Sequence, residues 1–264
     1  EIAAQIAVQT LADNFQREAR PTLVDPFRFL QKGMTNAHHA ILDFAERHKL
    51  SDTPRTTCVA CLVQDNVAYW AHAGDSRLFL MRGGKVVAQT RDHSRIRILI
   101  EEGLLSEARA ATHPDRNKIY SCLGSPTPPE IEFSRKTPLN HGDILLLCTD
   151  GLWGEIHGNA MAQALKGSNI VHTVPMLLSQ AEAKGGQHVD NLSVVAVRWE
   201  ETYLDEASSS ISTQTMALDE VATHIEEFGR DPAHKTDLSE SEIEQAIEEI
   251  RAAIDKFNPK RQGQ

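Results

Sequence analysis

Three aspartates stand where hydrophobic, strand-like runs end: Asp75 in AHAGDSR, Asp150 in DILLLCTDGLW and Asp190 in HVDNLSVVAVRW. Each is a short, hard oxygen ligand. Carboxylates brought together at strand ends from distant parts of a chain suit a divalent cation such as Mg²⁺ or Mn²⁺. Metal-bound carboxylates with open coordination positions can activate water against a phosphate ester. Each aspartate also has a plainer reading. Asp150 closes a buried strand and is equally placed to cap a helix or a turn. Asp190-Asn191 and Gly74-Asp75-Ser76 are ordinary turn dipeptides and tripeptides. Arg77 reads as well as a solvated strand residue as it does an anion binder.

The elements that must position these acids can be read from periodicity. Residues 1–16 place Ile2, Ile6, Val8, Leu11, Ala12 and Phe15 near helical spacing, and 27–48 resume that pattern after Pro21 and Pro26. TTCVACLVQ, NVAYWAHAG, RLFLMRGG and KVVAQ are short apolar runs separated by Asp-Asn, Gly-Asp and Gly-Gly, which predicts an antiparallel meander. A helical pattern over 96–112 is interrupted at Gly103. A Pro-rich loop, a strand near 130–136, the buried strand DILLLCTD, helix over 158–184 and the strand NLSVVAVRW follow. Helices first, then hairpins, then mixed elements predict an α+β layered domain.

Composition narrows the class. The 264 residues suffice for a sizeable core, and 41% hydrophobic with 24% charged content is ordinary for a globular chain. No run approaches the length of a membrane span, so no membrane association is expected. The net charge of −10 is uneven: residues 1–199 balance at 21 basic and 21 acidic, whereas 200–264 hold 6 and 16. Nothing there favours nucleic acid, whose phosphates need a basic face. Cys58, Cys61, Cys122 and Cys148 lie in apolar segments. The offset of three in Cys58-x-x-Cys61 puts its thiols on opposite faces of a strand, so buried, reduced thiols of a cytoplasmic protein are expected. His72, His93 and His113 have no HxxxH or HExxH spacing, and the neighbours His38 and His39 are expected at a helix surface.

After Trp199 the sequence turns polar. Residues 200–217 read as a linker, and 218–264 as an acidic pair of amphipathic helices. One carries Leu218, Val221, Ile225 and Phe228; the other carries Ile243, Ile247, Ile250, Ile254 and Phe257 behind a Ser239-Glu242 capping box. Such stripes suit packing within the protein or binding a partner.

In their order and spacing, TTCVACLV, AHAGDSRLFLMRGG, TRDHS (90–94), EEGLLSEARAATHPDRN with SCLG, LLLCTDGLW and HVDNLSVVAV resemble one family over about residues 1–199. It is the metal-dependent protein serine/threonine phosphatases (PPM, or type 2C) in their bacterial form. The resemblance implies a four-layer α-β-β-α sandwich of two antiparallel sheets, here with a C-terminal helical extension. It implies hydrolysis of phosphoserine and phosphothreonine in phosphorylated proteins, the substrates of a serine/threonine kinase. Water activated at a binuclear Mn²⁺/Mg²⁺ centre, with two or three ions in all, would carry the reaction. By position, Asp150 and Asp190 match ligands of the first metal, Asp75 matches a third-metal residue shared with Asp150, and 101–123 match a flap beside the site. The resemblance assigns no catalytic group beyond the metal ligands and no substrate-binding residue.

The chain departs from that family's pattern in one respect. The Arg-x-x-Asn-Glu-Asp-like strand and the DGMGG-type turn, whose Asp bridges both metals, occur nowhere in it. The expectation is a phosphatase domain over 1–199 whose N-terminal metal-binding segment lies upstream. Residues 1–264 alone are then a poor catalyst, since two carboxylates hold Mg²⁺ weakly. The alternative is a pseudophosphatase that serves as a regulatory or binding module.

Overall fold

The computed structural model describes residues 1–110, 113–115, 118–186 and 191–200. Asp190, the linker expected after Glu200 and the helices expected over 218–264 lie outside the described residues.

Two helices open the chain, α1 (Ile2–Glu18) and α2 (Pro26–Arg47). Asp25 caps α2 by accepting from the Arg28 amide at 3.1 Å, and Pro26 follows at the first helical position, where no amide is required. Strands β1 (Cys58–Gln64), β2 (Val67–Ala73), β3 (Arg77–Arg82) and β4 (Lys85–Gln89) come next. Then come α3 (Arg95–Glu101), α4 (Glu107–Ala110), β5 (Glu132–Phe133), β6 (Thr137–Pro138), β7 (Ile144–Cys148), α5 (Asp150–Trp153), α6 (Gly158–Leu165), α7 (Ile170–Gly185) and β8 (Val194–Arg198). The expected helix over 96–112 is split, because the chain turns into the left-handed region at Gly103 (φ 71°).

Two antiparallel sheets stack face to face. One has the order β1-β2-β5, with β6 also on β2; the other has the order β4-β3-β7-β8. Strand alternation sorts the side chains into layers. Tyr69, Ala71 and Ala73 of β2 face α1 and α2, where Phe29, Leu30, Met34, Ala37 and Ile41 meet them. Ala68 and Trp70 face the opposite way, onto Leu78, Leu80 and Leu145 of the second sheet. Phe79, Met81, Ile144 and Leu146 cover the outer side, against Leu152, Met161, Leu165 and Leu177 of the later helices. This is the α-β-β-α layering that the resemblance implies.

The four early strands form no continuous meander. Asp65 and Asn66, at φ 54° and 59°, make a tight β1–β2 hairpin, and β3–β4 form a second one. Between them, Gly74-Asp75-Ser76 carries the chain from one sheet to the other, so Asp75 sits at an inter-sheet corner and not in a hairpin. Gly74 makes that corner possible. Its φ is 112°, and a Cβ there would come within 2.5 Å of Thr57 Cγ2.

His38 also differs from expectation. It lies four residues from Met34 on the buried stripe of α2 and is 3% exposed, while His39 faces out. Its Nδ1 accepts from the Gly124 amide at 3.1 Å, and burial pushes its pKa down. Cys122 and Cys148 are buried as expected, whereas Cys58 and Cys61 are only partly so. Cys58 packs toward the helices and Cys61 between the sheets, both on a half-buried strand, and all four thiols are free. Desolvation raises Cys58, Cys61 and Cys148 to about 12, which keeps them protonated and inert.

At the rim of the sandwich, Val195 and Val197 lie opposite Leu147 and Leu145 and so turn toward the inter-sheet layer, yet they are 61% and 44% exposed. No helix among the described residues is long and apolar enough to cross a membrane.

Candidate metal centre

Register decides which acids can meet. Strands β3 and β7 are antiparallel neighbours with Arg77 opposite Cys148. Asp75 lies two residues before Arg77 and Asp150 two residues after Cys148, so both emerge at the same end of the sheet. Cys148 also pairs with Val194, which brings the start of β8 to that end. There the Thr149 hydroxyl donates to the Asn191 carbonyl at 2.8 Å and accepts from the Ser193 amide at 3.0 Å. Asp190 itself lies outside the described residues. Asp150 is the first residue of α5, a four-residue helix whose preceding Thr149 makes no side-chain cap.

The two described acids feel each other. Burial first, then the charges of Asp150 and Asp92, raise the Asp75 carboxyl from its usual 3.8 to about 6. A half-buried carboxylate pushed up by a like charge is relieved by a cation placed between the pair. Hard carboxylate oxygens at strand ends fit Mg²⁺ or Mn²⁺ chemistry.

Four contacts fix the corner. Trp153 Nε1–H donates to the Asp75 carbonyl at 3.0 Å. Arg77 donates through Nε and Nη2 to the two oxygens of Asp92, each at 2.7 Å, and its guanidinium carbon lies 3.5 Å from the Trp153 ring centroid. The Thr57 and Ser76 hydroxyls share a hydrogen bond of 2.8 Å. In sequence, Arg77 is equally a solvated residue and an anion binder, and Trp153 and Asp92 carry no mark of their role. Nothing in local spacing signals them, because the contacts join residues 15 to 78 positions apart.

The histidines that lack any motif spacing in sequence nevertheless meet in space. His72, His93 and Glu132 each offer a ligand atom within 4.8 Å of the others. The hydrogen bonds argue for a clamp rather than a cation site. His93 Nδ1 accepts from the Gly74 amide at 3.3 Å, which leaves the ring proton on Nε2, 3.6 Å from a Glu132 oxygen. His72 Nε2–H donates to the Arg91 carbonyl. His93 therefore has no lone pair to spare. Its own amide donates to the Gly74 carbonyl at 2.9 Å, so it grips Gly74 from both sides, next to Asp75. Burial, then His72, lowers its pKa.

Comparison with known proteins gives this geometry its context. The model of the protein phosphatase 2C family matches residues 4–108. Protein phosphatase PhpP of Streptococcus pneumoniae serotype 2 (strain D39) is 30% identical over 171 residues, which span 62% of this chain and 68% of that protein. The chain belongs to the protein phosphatase 2C family. It is thus a metal-dependent phosphoprotein phosphatase, a hydrolase. Among solved members of the PP2C fold, the S. agalactiae serine/threonine phosphatase superimposes with a TM-score of 0.68 at 26% identity, covering 76% of this chain and 81% of that one. The catalytic domain of the serine/threonine phosphatase PstP, in complex with 2 manganese ions, gives 0.64 at 26% identity, covering 76% and 81%.

Proposed function

We propose that this chain carries a protein serine/threonine phosphatase site in which Asp75, Asp150 and Asp190 hold Mn²⁺ or Mg²⁺. Phosphoserine and phosphothreonine in phosphorylated proteins are its substrates. The observation that supports the reading most is the placement of Asp75 and Asp150 at one sheet end, close enough that the charge of Asp150 disfavours that of Asp75. Asp75 and Asp150 would share one ion, and Asp150 with Asp190 another. Bound metal supplies an activated water and neutralises charge on the phosphoryl group. The chain's own residues then orient the acids. Trp153 and His93 hold the backbone on either side of the Asp75 Cα, and Thr149 ties the Asp150 turn to the β8 approach.

Two or three acids hold a hard cation weakly, so residues 1–264 are expected to turn over p-nitrophenyl phosphate slowly. The test is Mn²⁺ binding to the 264-residue chain, followed by the paramagnetic resonance signal of free Mn²⁺. Wild type should deplete that signal and Asp150→Asn should not, with an unchanged circular dichroism spectrum. Equal Mn²⁺ uptake by both proteins would overturn the ligand assignment.

A further inference from the structure

The segment that leads into β1 brings a second arginine to the rim of the acid corner. Thr56 and Leu123 form an antiparallel bridge, exchanging both backbone hydrogen bonds at 3.1 and 2.9 Å. Opposite residues in such a pairing share a face, and faces alternate along each chain. Leu123 is buried with the residues of α2. By this register Thr57 and Cys122 lie opposite each other and face the other way, and Arg55, two residues before Thr57, shares their face. That face meets the corner. The Thr57 hydroxyl shares its hydrogen bond with Ser76, and Thr57 Cγ2 is the atom that a Cβ on Gly74 would strike.

Electrostatics place the guanidinium along that face. Burial first raises the Cys122 thiol; the charge of Arg55 then opposes that rise, and the charge of Asp75 adds to it. Arg55 and Asp75 are therefore both within reach of one sulfur. The charges that shift Asp75 itself are those of Asp150, Asp92 and Arg77. Arg55 is outside that set and is exposed, so it stands at the rim and not among the acids. Arg77 is the nearer cation, and both its fork bonds go to Asp92. An extended peptide advances about 3.5 Å per residue. With its phosphoryl group at the corner, a substrate would bring a residue a few places along its chain, and not the phosphate, to Arg55.

We propose that Arg55 is a specificity residue that pairs with an acidic side chain flanking the substrate's phosphoserine or phosphothreonine. The planar fork of a guanidinium matches a carboxylate, and an exposed one reads it without the cost of burying a charge. The proposal rests on the corner being the phosphatase site.

The experiment measures, by fluorescence anisotropy with Mn²⁺ at low salt, the binding of labelled peptides to the whole chain. Each peptide carries a non-hydrolysable phosphonate in place of phosphoserine, flanked on both sides by Glu, by Gln or by Lys; a fourth has Glu flanks and unmodified serine. Wild type should prefer Glu over Gln flanks by about fivefold, and added salt should shrink the difference. Arg55→Gln should bind both alike, and Arg55→Glu should turn the preference toward Lys flanks, with unchanged melting temperatures. A structural role for Arg55 predicts no such reversal. Equal loss on the Glu and Gln peptides in Arg55→Gln would place Arg55 on the phosphoryl group and overturn the proposal, as would a preference that survives in Arg55→Gln. Phosphonate-dependent binding without flank preference in wild type would overturn this inference alone. Wild-type binding no tighter to the phosphonates than to unmodified serine would overturn the phosphatase reading with it.

Discussion

The indole N–H of Trp153 and the carbonyl oxygen of Asp75 are hydrogen-bonded at 3.0 Å across 78 positions of sequence. Trp153 closes the short helix that Asp150 opens, so this bond ties the two acid-bearing turns into one unit. Trp153→Phe keeps a ring over Arg77 but leaves the carbonyl without its donor. Urea denaturation should show a loss of about 1 kcal/mol, the net worth of one such hydrogen bond. Mn²⁺ affinity should fall by less than in Asp150→Asn.

Asp150 and Asp75 are expected to differ in consequence. Asp150 is proposed to serve two ions and Asp75 one, so Asp150→Asn should remove Mn²⁺-dependent phosphatase activity almost entirely, whereas Asp75→Ala should leave a measurable fraction. Initial rates at saturating Mn²⁺ decide the matter, and equal losses would refute the division of roles.

The raised pKa of Asp75 makes stability depend on pH in a defined direction. Its folded value of about 6 lies above its usual 3.8, so the folded state binds the extra proton between those limits. In metal-free protein its favourable contribution is complete below about pH 4 and is lost as pH rises through about 6. Asp75→Asn should therefore stabilise the metal-free chain at pH 7.5 by about 1–2 kcal/mol, after allowance for partial exposure, and by almost nothing near pH 4. Denaturation curves in chelator at the two pH values test this.

Gly124 offers a stability test away from the acids. Its φ is 77°, its amide donates to buried His38, and a Cβ there would meet the Pro54 carbonyl and lie 2.8 Å from Ile41 Cγ2. Gly124→Ala should cost about 2–4 kcal/mol through left-handed strain and overpacking. A thermal melt within a degree of wild type would contradict this account.

Much of the scaffold was legible because it is local. Asp65-Asn66 announced a hairpin, the alternation through β2 and β3 announced two-faced strands, and the apolar run before Asp150 announced a buried strand. The change of sheet at Gly74 was not legible. A Gly-Asp-Ser turn looks the same whether the next strand pairs with the last one or crosses a core, and Thr57, which crowds Gly74 at this corner, is distant in sequence. His38 was misplaced because its spacing from Met34 and Ile41 was outweighed by its polarity. The grip of His93 on Gly74 and the stacking of Arg77 on Trp153 depend on register between remote strands, which no window of sequence contains. For the acids, sequence supplied candidates and β3–β7 pairing supplied adjacency for two of them.

The uncovered valines of β8 bear on how this protein behaves at concentration. Among the described residues no strand pairs with β8 on its side away from β7. Apolar side chains beside unpaired backbone amides and carbonyls form a template onto which another chain can add. Self-association should then be set by this strip rather than by net charge. Light scattering that rises with protein concentration, and that Val195→Lys suppresses while Val171→Lys on α7 does not, would mark β8 as the adhesive part of the molecule.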